Sequence, residues 1–472
     1  MDRARTCGLV ALATLIWAGC GGSDEGGEGG NQAGRAGSSA AGTSAAGSSG
    51  SSVGGAGGSG PGGSGAGGSG AGGSGEPEGP PLLERPADIA YDCEVTRPMA
   101  LLGLNPWVGG SLHLNASSAY VTRLQGTMPA SSIGMKPTWS SLGFDGALGS
   151  ARELPVEAQT YLGQLTSAQQ GEQLTMLWSQ TSSGNDSQLV LASVEAAGEV
   201  TVPQAPLTSG AGQKNFPVMT AAGEGYAVAW TRQSAGGSGG STIQLVQVGA
   251  DGKPIGDVET VLESTGNLQT QELVPHAGGL VLLYSQVDFA SNMQGNYYVW
   301  LDTSGARQGE PVKLGDGFGA TSSLSRGEEL LVAWTEQTGN YDEKMTRTVH
   351  VGKIGAAGKR VGPSHALQAP VDDQENVDPH WVDMGEDVGL FWSQGSVIYI
   401  CAGCFPDNQL KFVVLGGDNL TPKSEVLSLP SPNPFGLRSP QAVRVDEEIL
   451  AIASVTHHVD AEGASATIRC TP

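Results

Sequence analysis

The stretch LTMLWSQ, residues 174–180, decides the fold of this chain because variants of it recur. The other strong copies are YAVAWTRQ (226–233), LVLLYSQ (280–286), LLVAWTEQ (330–337) and VGLFWSQ (388–394). Each copy is a short apolar run that ends in an aromatic anchor, followed by a hydroxyl residue. The anchors recur at nearly equal intervals: Trp178, Trp230, Tyr284, Trp334 and Trp392. Short apolar runs bounded by turn residues are typical of β-strands, so the repeat predicts an all-β domain.

Two weaker copies extend the repeat, with Val121 and Ala453 at the anchor position. Ser or Thr follows all seven anchors, and we expect these hydroxyls to bond the backbone of the turn after the strand. A turn glycine follows each strong anchor after a further strand-like run: Gly198, Gly252, Gly305, Gly358 and Gly417. A repeat of roughly 50 residues has the length of a four-stranded β-propeller blade. The sequence predicts seven such blades, with six as the alternative, and the anchors as filling between blades.

The last repeat is one strand short, because only SATIRC (465–470) remains after Ala453. We expect the N-terminal stretch DIAYDCEV (88–95) to supply the missing outer strand and close the ring. The two stretches carry Cys93 and Cys470, so a disulfide between them is predicted. The four cysteines beyond residue 81 allow three pairings, and Cys401–Cys404 would be the second bridge. Strand-like flanks around CAGC favour a loop staple over a redox pair at a helix N-terminus.

The N-terminus carries an export signal. Arg3 and Arg5 precede an apolar run that is shorter than the roughly 20 residues a membrane-spanning helix needs. The run IWAGC (16–20) resembles the lipobox of bacterial lipoproteins, although Trp17 stands where that family usually has Leu. The resemblance implies that Cys20 becomes the lipidated N-terminal residue. An ordinary secreted protein is the alternative.

A low-complexity segment follows Cys20. Gly makes up 26 of residues 21–80. The segment therefore has too few apolar side chains to offset the entropy that ordering would cost. We therefore divide the chain into a signal peptide (1–19), a lipidated cysteine with a disordered linker (20–81) and a propeller (82–472). Gly21 is not the Asp that commonly retains lipoproteins at the inner membrane, so the resemblance implies the outer membrane or the cell surface.

The sequence carries no recognisable catalytic motif. HExxH does not occur, and GxSxG is matched only by GSSVG (50–54) and GGSGG (236–240), which belong to runs rich in Gly and Ser and are not catalytic signatures. No cofactor or metal ion is predicted. The acid-rich stretch PVDDQENVDPHWVDMGED (370–387) lacks the order of a calcium loop, and we interpret it as a solvated connection. The formal net charge of −23 argues against nucleic acid as a partner and against direct docking on an anionic surface.

Three long connections after the anchors share one end of the predicted propeller: 232–241, 287–296 and 338–347. They contain the candidate binding residues Arg232, Phe289, Asn292, Tyr341 and Lys344, a mixture suited to a peptide or sugar. The prediction is a membrane-anchored, non-catalytic binding or scaffold module for protein or glycan. The alternative is a propeller-type glycoside hydrolase or lyase, which requires carboxylates with Arg or His converging at the central channel. The marks of the sialidase, WD and kelch propellers are absent, so no blade family is identified.

Overall fold

The computed structural model describes residues 89–102, 108–114, 119–125, 135–156, 161–181, 186–195, 198–234, 240–288, 293–317, 319–338, 346–356, 358–367, 374–396, 408–432, 436–456 and 461–472. Within these ranges the chain contains strands, turns and connections. No helix in them is long and apolar enough to cross a membrane.

Seven antiparallel sheets of four strands each form the blades of a β-propeller, which confirms the all-β prediction with seven blades rather than six. The first strands of the blades contact one another around the central channel. They are β2 (Val108–Leu114), β6 (Tyr161–Gln170), β10 (Gln213–Ala222), β14 (Asn267–His276), β18 (Thr321–Arg326), β22 (Gln374–Asp383) and β26 (Leu437–Val445). The second strands carry the anchors: β3 (Ala119–Gln125), β7 (Gln173–Thr181), β11 (Gly225–Gln233), β15 (Gly279–Asp288), β19 (Glu329–Thr338), β23 (Val388–Ser396) and β27 (Glu448–Thr456).

The remaining strands complete each blade toward the outside. The third strands are β4 (Lys136–Leu142), β8 (Gln188–Glu195), β12 (Ser241–Val248), β16 (Met293–Leu301), β20 (Thr346–Gly355), β24 (Gln409–Leu415) and β28 (Ala461–Thr471). The outermost strands are β5 (Arg152–Glu153), β9 (Val200–Pro206), β13 (Pro254–Ser264), β17 (Val312–Asp316), β21 (His365–Leu367), β25 (Leu427–Leu429) and, in blade 7, β1 (Asp92–Leu101).

The antiparallel order gives the propeller two different ends. Connections between second and third strands, and between successive blades, lie at one end, which we call the loop end. Connections between first and second strands, and between third and fourth strands, lie at the opposite hairpin end. The loop end therefore carries all three connections that the sequence singled out.

The anchors fill the seams between blades, as predicted. All five aromatic anchors are buried, and each belongs to an apolar cluster that it shares with the preceding blade. Trp230 of blade 3, for example, clusters with Leu177 and Leu191 of blade 2. A blade buries its two faces only against neighbours, so ring closure is what completes every core.

Strand β1 closes the ring as the sequence predicted. It pairs antiparallel with β28, and a disulfide joins Cys93 to Cys470. The anchor of the seam between blades 7 and 1 is Val121 rather than an aromatic residue, and it clusters with Leu450 and Ile452 of blade 7. The covalent link lies in the blade that borders this seam.

Four of the five predicted turn glycines occupy the hairpin between third and fourth strands with positive φ: Gly198, Gly252, Gly305 and Gly358. Blade 1 has a further one, Gly146, which the repeat had not revealed. Gly417 does not take this role, because the turn of blade 6 is longer and Leu420 adopts the positive φ instead. A side chain at Gly305 would overlap Leu245 of the preceding blade.

Four of the seven hydroxyls after the anchors, those of Thr122, Thr231, Ser285 and Ser454, bond other strands and not the following turn, so for them that interpretation was wrong. Thr122 Oγ1 lies 2.7 Å from Ser167 Oγ of the next blade. Thr231 Oγ1 accepts from the backbone N–H of Thr270, also in the next blade, at 3.3 Å. Ser454 donates to the carbonyl of Arg438 on the first strand of its own blade at 3.0 Å. Because they lie between strands, these four hydroxyls hold neighbouring strands together. Thr335 Oγ1 and Ser393 Oγ have no hydrogen-bond partner among the described residues.

Candidate functional site

The described part of the loop end contains one of the five candidate binding residues. Arg232 is exposed near the end of β11 and donates to the carbonyl of Ala211, in the connection from blade 2, at 3.2 Å. The other candidates lie outside the described residues: Phe289, Asn292, Tyr341 and Lys344. Cys20, Cys401 and Cys404 lie outside them as well, so lipidation and the second disulfide stay predictions.

The acid-rich stretch 370–387 is not the solvated connection that we expected. Residues 374–383 form β22, the first strand of blade 6, and two of its acidic residues are buried there. Glu375 lies near the loop end of this strand and Asp378 lies at its middle. Both face arginines of other blades, which are distant in sequence. Charge neutralisation across blades is what makes this burial possible.

Asp378 joins blade 6 to blade 7. Its carboxylate pairs with the Arg438 guanidinium in a two-point contact, and Arg438 Nη2 lies 3.0 Å from Oδ1. The backbone N–H of Ser439 donates to Oδ2 at 3.1 Å. Burial by itself would raise the pKa of Asp378, but the Arg438 charge outweighs it and the pKa lies below its usual range. Asp378 is therefore ionised, and both of its oxygens are already held by the chain.

Glu375 is different, because its oxygens still have capacity to accept hydrogen bonds. It is 3% exposed, and Arg347 Nε lies 3.3 Å from Oε2. Apart from this ion pair, neither oxygen accepts a hydrogen bond within the described ranges. Burial raises the pKa of Glu375, with Arg347 and Arg438 opposing the shift. A buried carboxylate in this state is suited to accept donors from a ligand.

We call Arg347, Glu375, Asp378 and Arg438 the rim cluster. Arg347 is also the last residue of the connection 338–347 that the sequence selected, and it reaches from blade 5 to blade 6. The cluster places two carboxylates and two guanidiniums between the loop end and the middle of the strands in three consecutive blades.

Bulges in the first strands position the rim cluster. Phe216, Asp378 and Ser439 have positive φ, and each precedes a proline at a register shift in β10, β22 or β26. The three prolines, Pro217, Pro379 and Pro440, all stand at the same sequence distance before the anchor of their blade. Bulges re-aim side chains, and proline does not supply a ladder N–H. This constant spacing was the signal that could have identified Asp378 in advance.

Further down the channel, two titratable residues occupy equivalent positions of blades 4 and 6. Burial raises the pKa of Glu272 to about 8, with Ser323 of blade 5 opposing the shift. Burial lowers the pKa of His380 to about 4, opposed by the backbone of Ala442 in blade 7. Both groups are therefore mainly uncharged at pH 7, with Glu272 protonated and His380 neutral.

The described residues contain no group of three or more His, Cys, Asp or Glu side chains arranged to hold a metal ion. At the hairpin end, a polar cavity of about 380 Å³ lies between blades 5 and 6. There Arg326 donates to the carbonyl of Glu386 at 3.0 Å, so the guanidinium already ties the two blades together. Arg232, the one candidate binding residue among the described residues, does not line this cavity.

No protein-family model matches the chain, and no curated protein matches it. Several solved structures are similar. The polysaccharide lyase Uly1 is 10% identical with a TM-score of 0.45, over 77% of this chain and 90% of its own. The β-propeller domain of the trilobed protease from Pyrococcus furiosus is 8% identical with a TM-score of 0.42, over 76% and 93%. The sialidase of Trypanosoma rangeli is 9% identical with a TM-score of 0.43, over 78% and 55%. At this level of identity and TM-score, the similarity assigns no function to the chain. The chain is a seven-bladed propeller, and its blade family is not identified.

Proposed function

We propose that this protein is an exported bacterial lipoprotein, anchored in the outer membrane or at the cell surface, whose propeller binds a protein or glycan at its loop end without catalysing a reaction. The lipobox-like IWAGC supports the anchor at Cys20, and the glycine-rich segment behind it supports a flexible tether. The rim cluster supports the binding site.

The observation that carries the proposal is the unfilled carboxylate of Glu375. A buried acceptor without a donor is costly, and the ion pair to Arg347 uses only part of its capacity. Hydroxyl or amide N–H groups of a ligand would supply the missing donors.

The first described strand begins at the end of the propeller opposite the rim cluster. The backbone N–H groups of Ala90 and Tyr91 both donate to the carbonyl of Lys423, which follows the hairpin-end turn of blade 6. Strand β1 therefore begins at the hairpin end.

The test uses residues 82–472, which include all seven described blades and the Cys93–Cys470 disulfide. The oxidised domain is passed over a broad glycan array and used as bait for envelope extract. We expect saturable binding that falls roughly tenfold or more in Glu375→Gln. Glu153→Gln is the matched control, because Glu153 pairs with Lys136 at the surface of blade 1. Equal binding by both variants would contradict the rim cluster as the binding site.

Anchoring has a separate test. The wild-type chain should incorporate labelled palmitate, and Cys20→Ala should not. Labelling of the variant would contradict lipidation at Cys20.

A carbohydrate-active enzyme is the second candidate, and one observation favours it. Glu375 and Asp378 lie on one strand with pKa values displaced in opposite directions, as in an acid–base pair. Against it, Arg438 and the Ser439 N–H already hold Asp378. Turnover of any glycan retained on the array, abolished in Asp378→Asn, would favour the enzyme.

A further inference from the structure

Arg123 is a fully buried cation in the second strand of blade 1. It is 1% exposed, and its guanidinium bonds only neutral groups: Nη2 donates to Gln125 Oε1 at 2.8 Å and Nη1 to Ser140 Oγ at 3.3 Å. Its Nε is buried without an acceptor among the described residues. In contrast, Arg438 and Arg347 of the rim cluster, which are less buried, each face a carboxylate.

No carboxylate of the described chain offsets this charge. Burial lowers the pKa of Arg123 to about 10, and no neighbouring acid opposes the shift. The guanidinium therefore stays protonated at neutral pH, in an environment where an unpaired charge is costly. The chain has a formal net charge of −23, so acidic residues that could pair with a buried cation are abundant. A buried arginine without such a partner is therefore unexpected.

The position of Arg123 connects it to the loop end. It lies two residues before the loop-end terminus of β3, paired with Gly110 and Thr138 in the sheet. Val121, two residues earlier on the same face, clusters with Leu450 and Ile452 of blade 7. The guanidinium therefore faces the seam between blades 7 and 1.

We propose that Arg123 is an anion-recognition residue that takes a single oxyanion, a carboxylate or a phosphate, into this seam. The Nε–H and the Nη hydrogens not used by Gln125 and Ser140 form the donor edge for its oxygens. Gln125 and Ser140 hold the guanidinium plane, so the donors are preorganised. That the oxyanion is a group of the ligand bound at the loop end rests on the proposed function. Binding of a free anion at Arg123 does not.

The test measures thermal unfolding of oxidised residues 82–472 in galacturonate or inorganic phosphate, each against chloride at equal ionic strength. A ligand that binds only the folded state raises Tm by mass action. We expect a rise of about 1–3 °C at high millimolar anion in the wild type. The rise should be lost in Arg123→Met and kept in Arg469→Met, whose arginine is exposed and pairs with Glu448 at the surface.

The same experiment distinguishes an anion-binding arginine from one with a purely structural role. In that case Arg123→Met is as stable as the wild type or more so, and both respond to the anions equally, which overturns the proposal. If Arg123→Met does not fold, calorimetric titration of the wild-type domain decides, because absence of saturable binding contradicts the site. If the domain retains neither a glycan nor an envelope protein but binds the anion saturably, the proposed function alone is refuted. If it retains such a ligand but does not bind the anion, the anion site alone is refuted.

Discussion

Cys93 and Cys470 are covalently joined across the last blade although they stand 377 residues apart, and their Cα atoms are 4.1 Å from each other. The bond ties the first described strand to the last one, so it encloses the whole propeller. Backbone pairing between β1 and β28 continues on both sides of the bridge. The disulfide therefore acts on ring closure and not on a single hairpin.

Loss of this disulfide should destabilise the propeller. A closed loop of this length restricts the unfolded chain strongly, and removing the bond in Cys93→Ala/Cys470→Ala is expected to cost roughly 2–5 kcal/mol. Denaturant unfolding of the oxidised proteins measures the loss. Reductant should lower the stability of the wild type and have little further effect on the double variant. A wild type that is indifferent to both changes would contradict a closing role.

Substitution of the turn glycine of blade 4 should lower the stability of the propeller for two reasons. Gly305→Ala is expected to destabilise by about 1–3 kcal/mol, because the new Cβ meets Leu245 and the backbone φ is +93°. Gly327→Ala is the matched control, since Gly327 also has positive φ but no atom lies near its added Cβ. Comparison of the two unfolding free energies isolates the contact between blades. Equal losses would mean that backbone strain alone accounts for the effect.

His380 should make the propeller acid-sensitive. Its pKa falls from 6.5 to about 4 on folding because of burial, so the unfolded chain takes up the proton first. Stability therefore decreases as pH falls from about 6.5 to 4, by about 1–3 kcal/mol from this residue. His380→Gln should flatten that part of the pH profile. An unaltered slope in His380→Gln would count against burial as the cause.

Glu272 should have the opposite pH dependence. Its folded pKa of about 8 lies above the ordinary 4.5, so the folded state holds the proton more tightly. Its contribution is fully present below pH 4.5 and is lost as pH rises toward 8. Glu272→Gln should therefore become more stable than the wild type by about 2–4 kcal/mol at pH 8 to 9. Glu259→Gln, on the exposed edge of β13, should show no such gain in the same titration.

The repeat predicted most of the fold, because every blade meets the same packing problem. The same anchor position must fill every seam, and so Trp178 and Trp392 occur in similar sequences although they lie far apart. Ring closure was also predictable, since the last repeat lacked one strand and the two terminal stretches each carried a cysteine. These features can be predicted from local sequence because the spacing of apolar residues along a strand and the glycine in a turn both lie within a few consecutive residues.

The site was decided by tertiary structure. The stretch 370–387 has the composition of a solvated connection, and only the packing of blade 6 between blades 5 and 7 places Arg347 beside Glu375 and Arg438 beside Asp378. The same holds for Arg123, whose lack of a counter-charge among the described residues depends on how blades 7 and 1 meet. Sequence determines which residues carry charge, but the environment of a buried charge is built by strands that are distant in the chain.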